Sequence, residues 1–90
     1  MKDNALIVNT KDNVAVALRD LRAQETVIVN GREHFSLLED IPASHKLALR
    51  DIGSEEEIVK YGEVVGVSTE DITQGAWVHT HNLESRRWKK

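Results

Sequence analysis

The sequence predicts a mostly β domain of short strands with few short helical turns. Turn signals recur every eight to twelve residues, no segment sustains helical periodicity over three turns, and the apolar content of 40% is mainly Val, Ile, Leu and Ala. Ninety residues make one small domain, 1–90, with its core over about residues 5–83 and a basic tail over 84–90. A domain of this size buries only about 60 to 65% of the surface its unfolded chain exposes, so a second core is not expected. No internal repeat is apparent.

Residues 5–9 and 26–30 are β-branched or apolar runs bounded by Asn, Asp, Lys and Gly, the pattern of strands. Between them, Asp12-Asn13 precedes Val14-Ala15-Val16-Ala17-Leu18; the polar pair can cap a short turn of helix or begin a strand, and local pattern leaves both open. Asn30-Gly31 tolerates the positive φ angles of a type I′ turn, so residues 26–29 should fold back on 32–38 as a hairpin, with His34 facing solvent. Pro42 ends the second arm, and Ala43-Ser44-His45-Lys46 leads into Leu47-Ala48-Leu49, a short strand or single turn. Ser54-Glu55-Glu56-Glu57 reads as a solvated acidic loop, the first turn of a short helix being the other reading. Ile58-Val59-Lys60-Tyr61-Gly62 and Val64-Val65-Gly66-Val67 are two apolar segments, each punctuated by a glycine that permits a tight turn or close backbone approach. Asp71-Ile72-Thr73-Gln74-Gly75 is a further turn. Gly75-Ala76-Trp77-Val78-His79-Thr80-His81-Asn82 reads as the last strand.

Charge and composition exclude several classes. The net charge of −3, with acidic and basic residues interspersed, argues against a general nucleic-acid surface. Without cysteine there is no disulfide framework and no thiolate metal site, which favours a reducing, cytoplasmic setting. The apolar run after Met1-Lys2-Asp3-Asn4 is too short for a signal-peptide core or a membrane span, and a soluble domain is expected. Arg86, Arg87, Lys89 and Lys90 surround Trp88 in the tail, which reads either as a solvated terminus or as a docking element for a partner or an anionic substrate.

Two of the four histidines lie two residues apart, and on an extended strand such side chains share a face. His79 and His81 can therefore present both imidazoles to one metal ion or anionic substrate, although strand histidines bonded to their neighbours would show the same spacing. A metal normally needs three or four ligands, so two histidines make half a site. His45-Lys46 places an imidazole beside an ammonium, able to hold a carboxylate or to perturb each other's protonation; a plain surface pair is the alternative. Lys60 and Tyr61 offer an ammonium and a phenol at a strand end, and Asn82 either orients a ligand or ends the strand. No Gly-rich phosphate loop, nucleophile elbow or catalytic carboxylate pair is present.

Taken in order, Asp12-Asn13-Val14-Ala15-Val16-Ala17, Ile41-Pro42-Ala43-Ser44-His45-Lys46-Leu47-Ala48-Leu49, Ile58-Val59-Lys60-Tyr61-Gly62 and Val78-His79-Thr80-His81-Asn82-Leu83 resemble the altronate and galactarate dehydratase family, in particular its N-terminal SAF domain. The resemblance runs from about residue 5 to residue 88, and it implies a β-clip fold related to the antifreeze-like domain of sialic acid synthases. Family members commonly carry Gly at the position of Ser44, so the conformation of the loop before His45 is in question.

The resemblance also implies a function. In such dehydratases the domain is fused to a larger catalytic domain, and the ending here looks like a free-standing small subunit, close to that of sulfolactate sulfo-lyase. The implied reaction is a β-elimination on a 2-hydroxy acid: a base removes the proton beside the carboxylate, and hydroxide or sulfite leaves from the adjacent carbon. A divalent metal, Fe2+ in this family, would bind substrate oxygens. His79 and His81 would lie at the metal, His45 would act as acid or base, and Lys46, Lys60 and Asn82 would bind substrate. The implied partners are a large catalytic subunit and a sugar-acid or sulfonate substrate, with no nucleic acid and no membrane, and self-association is left open. A binding module for an anionic sugar or carboxylate is the alternative, and a structural or regulatory subunit is the third.

Overall fold

The computed structural model describes residues 2–85. The tail residues Arg86, Arg87, Trp88, Lys89 and Lys90, on which the docking expectation falls, lie outside the described residues. Among the described residues there are nine strands: β1 (Ala5–Leu6), β2 (Val14–Ala17), β3 (Thr26–Val29), β4 (Arg32–Ser36), β5 (Lys46–Ala48), β6 (Glu57–Lys60), β7 (Glu63–Ser68), β8 (Trp77–Val78) and β9 (Leu83–Glu84). No described residue is helical, so the expected helical turns are hydrogen-bonded turns instead, and no helix is long and apolar enough to cross a membrane. The ambiguous segment after Asn13 is a strand. All pairings are antiparallel, in a four-stranded sheet of order β1-β2-β5-β8, a hairpin β3-β4 and a three-stranded sheet β6-β7-β9. This is the compact, short-stranded β architecture that a β-clip requires.

Two hairpins carry the expected turn chemistry. Asn30 and Gly31 take φ of 54° and 74° between Val29 and its partner Arg32, as a type I′ turn demands. Tyr61 and Gly62 do the same at 56° and 78° between Lys60 and Glu63. A tyrosine in the left-handed region is uncommon, and the turn is held from outside: the Gly62 N–H donates to Asp12 Oδ1, just as the Asn30 and Gly31 N–H groups donate to Asp3.

The likeness of the two hairpins extends through the chain and corrects the expectation of no repeat. The pairs Thr26↔Ser36, Ile28↔Glu33 and Val29↔Arg32 recur 31 residues later as Glu57↔Val67, Val59↔Val64 and Lys60↔Glu63. The bridge Leu21↔Ile41 recurs as Ile52↔Ile72, and the ion pair Arg19–Glu25 as Arg50–Glu56. Strand pairing in the central sheet shifts by the same step: Ala15↔Leu47 and Val16↔Lys46 become Lys46↔Val78 and Leu47↔Trp77. Each copy has its own apolar cluster, one around Leu21, Val27, Leu37, Ile41 and Leu47, the other around Val14, Ile52, Ile58, Ile72 and Val78. Period-two alternation explains the division: Ala15 and Leu47 face the first cluster from the central sheet, while Val14 and Ala48 face the second.

Candidate functional site

The pairing of β5 with β8 creates the site. Lys46 lies opposite Val78 and Leu47 opposite Trp77. The same register carried one residue outward sets His45, just ahead of β5, across from His79, just after β8. Directly opposed side chains meet on one face of such a pair, and the two imidazole centroids are 4.4 Å apart. Trp77 sits diagonally to His45 and two residues before His79, on the same face. Its Nε1–H donates to His45 Nδ1 at 3.1 Å, and its ring lies against His79 with planes 7° apart and centroids 5.5 Å apart. The His81 ring lies tilted against the indole, with centroids 5.1 Å apart. Trp77 thus touches all three imidazoles.

Backbone bonds fix this placement. Ser44 adopts φ of 71°, the left-handed conformation that a glycine would take freely. Its N–H donates to Ala17 O, the His45 N–H donates to Pro42 O, and His45 O accepts from Ala17 N–H. Serine therefore keeps the glycine-type conformation at this position and delivers His45 to the start of β5.

The strand expected over residues 75–82 is shorter than expected and is not the last. Strand geometry is confined to Trp77–Val78, and residues 79–82 form a turn in which His79 O accepts from the N–H groups of Asn82 and Leu83. Asn82 closes it: Oδ1 accepts the His79 N–H and Nδ2 donates to Trp77 O, both at 2.9 Å. A short amide that satisfies nearby backbone groups competes with ladder formation. His79 and His81 are consequently not alternate members of one strand, and they are brought together across Trp77. Asn82 is buried with its amide committed to the turn, so its visible part is to position His79.

The lysines sit apart from the imidazoles. Alternation turns Lys46 to the face opposite His45, where it is half-buried and burial, followed by the nearby positive charge of Lys60, lowers its pKa below 10.5. Lys60 ends β6, with Nζ 5.0 Å from the centroid of the Tyr61 ring. Neither ammonium makes a salt bridge to a carboxylate among the described residues. The pKa of His79 is lowered below 6.5 by burial first, then by charge interactions with His45, Lys46 and His81. Sequence reasoning missed Trp77 as a member; the available signal was an indole two residues before a candidate histidine, where strand alternation gives it the same face.

A bias toward neutral imidazole at His79 suits a metal ligand, which must bind through an unprotonated nitrogen. The Nδ1 atom of His45 is engaged by Trp77. Among the described residues no three His, Asp or Glu side chains converge as a metal-holding group. His79 and His81 are the two imidazoles that the sequence expectation puts at a metal, and no third ligand joins them among the described residues.

The model of the altronate/galactarate dehydratase SAF domain matches residues 3–86. The chain belongs to this family. The SAF domain is 40% identical over 78 residues to altronate dehydratase of Escherichia coli, covering 87% of the chain and 16% of that enzyme. It is 42% identical over 73 residues to galactarate dehydratase (L-threo-forming) of the same organism, 79% of the chain and 13% of the enzyme. Against (2R)-sulfolactate sulfo-lyase subunit alpha of Paracoccus pantotrophus it is 41% identical over 49 residues, 54% of the chain and 73% of that subunit. The SAF domain thus spans about a sixth of the dehydratases' length but most of the sulfo-lyase subunit's. These relatives are lyases by name, and the last is one subunit of a multi-subunit enzyme.

Proposed function

We propose that this SAF domain is the small subunit of a lyase that eliminates water from a sugar acid of the altronate or galactarate type, or sulfite from sulfolactate, with the main catalytic domain on a separate large subunit. The observation that carries this reading is the cross-strand meeting of His45 and His79 on Trp77, inside a domain that matches the lyase family almost end to end. The likeness to a sulfo-lyase subunit supports the two-subunit arrangement.

In the elimination, the proton beside the substrate carboxylate is removed while hydroxide or sulfite departs from the neighbouring carbon, and negative charge builds on the carboxylate oxygens. His45 and His79 supply hydrogen-bond donors toward that charge, and Lys46 and Lys60, set apart from the imidazoles, add positive field at longer range. His79 and His81 would hold a divalent metal, iron(II) by family resemblance, which supplies Lewis-acid stabilisation of the same oxygens when bound. The large subunit supplies the remaining ligands and the enclosing walls. Cytoplasmic residence fits the absence of cysteine from the sequence.

A second reading is a binding module for an anionic sugar or carboxylate, favoured by two lysines that lack a carboxylate partner among the described residues. One experiment separates the two. The tagged chain is recovered from its host under mild salt, co-purifying proteins are identified by mass spectrometry, and the eluate is assayed with altronate, galactarate and sulfolactate. A stoichiometric large partner with turnover is the expected result. Recovery of the chain alone, binding these acids without turning them over, would transfer the conclusion to the binding module.

A further inference from the structure

We propose that Trp77 is a positioning residue that holds His45 with Nδ1 as hydrogen-bond acceptor and its proton on Nε2, so that His45 serves the site as a hydrogen-bond donor to an anionic substrate oxygen and not as its acid or base. The donor role rests on the lyase reading; the tautomer does not.

The indole nitrogen carries a hydrogen and has no lone pair to offer, so in the Trp77–His45 contact it can only donate. The 3.1 Å bond from Trp77 Nε1 therefore requires a lone pair on His45 Nδ1, and a neutral ring then carries its proton on Nε2. Protonating Nδ1 would set two N–H groups against each other and break the bond. The indole itself is not free to turn away. Its backbone N–H donates to Glu39 Oε2 at 2.9 Å, its carbonyl accepts from Asn82, its neighbour Val78 is fully buried, and its ring is stacked on His79. The His45 backbone is equally fixed, through Pro42 and Ala17.

A base must offer a lone pair and an acid must be an imidazolium that can lose a proton. The tautomer set by Trp77 is neither: Nε2 offers a hydrogen, and giving it up entirely would leave an imidazolate. What a neutral Nε2–H does well is donate to an oxygen that gains charge as the α-proton leaves, the same physical role that backbone donors play in an oxyanion hole. No second hydrogen-bond partner holds the His45 ring among the described residues, which leaves Nε2 available for a substrate oxygen.

The test begins with the full chain and no substrate. Two-bond nitrogen–proton correlations of the imidazoles read the tautomer directly, and a scalar coupling between Trp77 Nε1 and His45 Nδ1 reads the bond. The expected result is an unprotonated His45 Nδ1 coupled to the indole in the wild type, and in Trp77→Phe a mixed tautomer with an otherwise unchanged amide spectrum. A protonated Nδ1, or an uncoupled wild-type pair, overturns the proposal even if Trp77→Phe does not fold. In the active assembly, His45→Gln, which can donate but cannot carry a proton, should hold kcat within ~10-fold of wild type while His45→Ala loses ~10²-fold or more. Equal loss in both variants would make His45 a proton carrier and overturn the donor role. An assembly without turnover would remove the lyase reading and the donor role while leaving the spectroscopic result to decide the tautomer.

Discussion

Asn4 and Asn13 perform one task on two different hairpins. Asn4 donates Nδ2–H to Thr26 O and accepts from Ile28 N–H; Asn13 donates to Glu57 O and accepts from Val59 N–H, with all four distances between 2.8 and 2.9 Å. Both side chains are buried, and each fills the place where a bulge interrupts strand pairing, between Thr26 and Ile28 or beside Val59. An apolar replacement would strand one backbone donor and one acceptor. Asn4→Ala and Asn13→Ala are each expected to lower stability by about 2–4 kcal/mol, visible as a fall in the urea midpoint. A loss below ~1 kcal/mol would mean that water takes over both bonds.

Ser44 and Gly75 occupy corresponding positions, with φ of 71° and 89°, ahead of the strands that meet at the site. A side chain in this region carries a steric penalty that glycine escapes, offset in part by glycine's greater entropy when unfolded. Ser44→Gly should stabilise the fold by about 0.5–1 kcal/mol and leave His45 in place. Gly75→Ala should do the reverse, because its Cβ would come within 2.9 Å of Ser36 O, a backbone atom that cannot swing aside. Thermal midpoints moving in opposite directions would establish the pair.

Lys46 is expected to make the domain more stable in alkali. Its folded pKa is depressed below 10.5 by burial and by Lys60, so between the folded value and 10.5 the unfolded chain binds more protons, and stability rises with pH across that window. Lys46→Met should remove this rise and increase the urea midpoint at neutral pH. A pH-independent midpoint in the wild type from neutrality to about 10.5 would contradict it.

Acid should act in the opposite sense through Glu25 and Glu56. Arg19 and then the Arg22 N–H hold Glu25 below its ordinary 4.5, and Arg50 and then the Gly53 N–H do so for Glu56. Such groups contribute stability above the unfolded value, and the contribution is lost as pH falls from 4.5 through the folded values. Both pairs are largely solvated, so the expected effect is small and salt-sensitive. Denaturation curves of Arg19→Met and Arg50→Met should show a shallower acid limb than the wild type.

Alanine at His79 and at His81 distinguishes the functional readings. For a lyase subunit, each variant should assemble with its large partner as the wild type does and lose turnover by ~10²-fold or more. His79→Ala should be the more damaging, since His79 touches both His45 and Trp77, whereas His81 touches the indole. Silent substitutions would leave a structural subunit.

The hairpin at Asn30-Gly31 was legible because a two-residue motif dictates its own turn. The cluster was only partly so. His45, His79 and His81 stand out as residue types, but their meeting depends on the register of β5 against β8, a contact across more than thirty residues that no local pattern encodes. The segment expected to run extended to Asn82 leaves strand geometry after Val78, because the Asn82 amide, read from sequence as orienting a ligand or ending the strand, bonds the turn behind it. The repeat was legible in principle: Leu18-Arg19-Asp20-Leu21 returns as Leu49-Arg50-Asp51-Ile52 at the same 31-residue step. The copies also share Asp20 and Asp51, and Asp40 and Asp71, whose carboxylates accept matching backbone N–H bonds, while the strands need only apolar residues of suitable size.

That duplication has a bearing on where chemistry can live in this architecture. Moved back by one copy, the His45–His79 pair falls on Val14 and Ala48, which are opposed in the same register but sealed in the interior. Polar side chains there would be walled off from any reactant. The imidazoles occupy the corresponding seats at the rim of the central sheet, where β8 has a neighbour on one side only. The candidate site is an end effect of a tandem array: the geometry is made twice, and it is open to the outside world once.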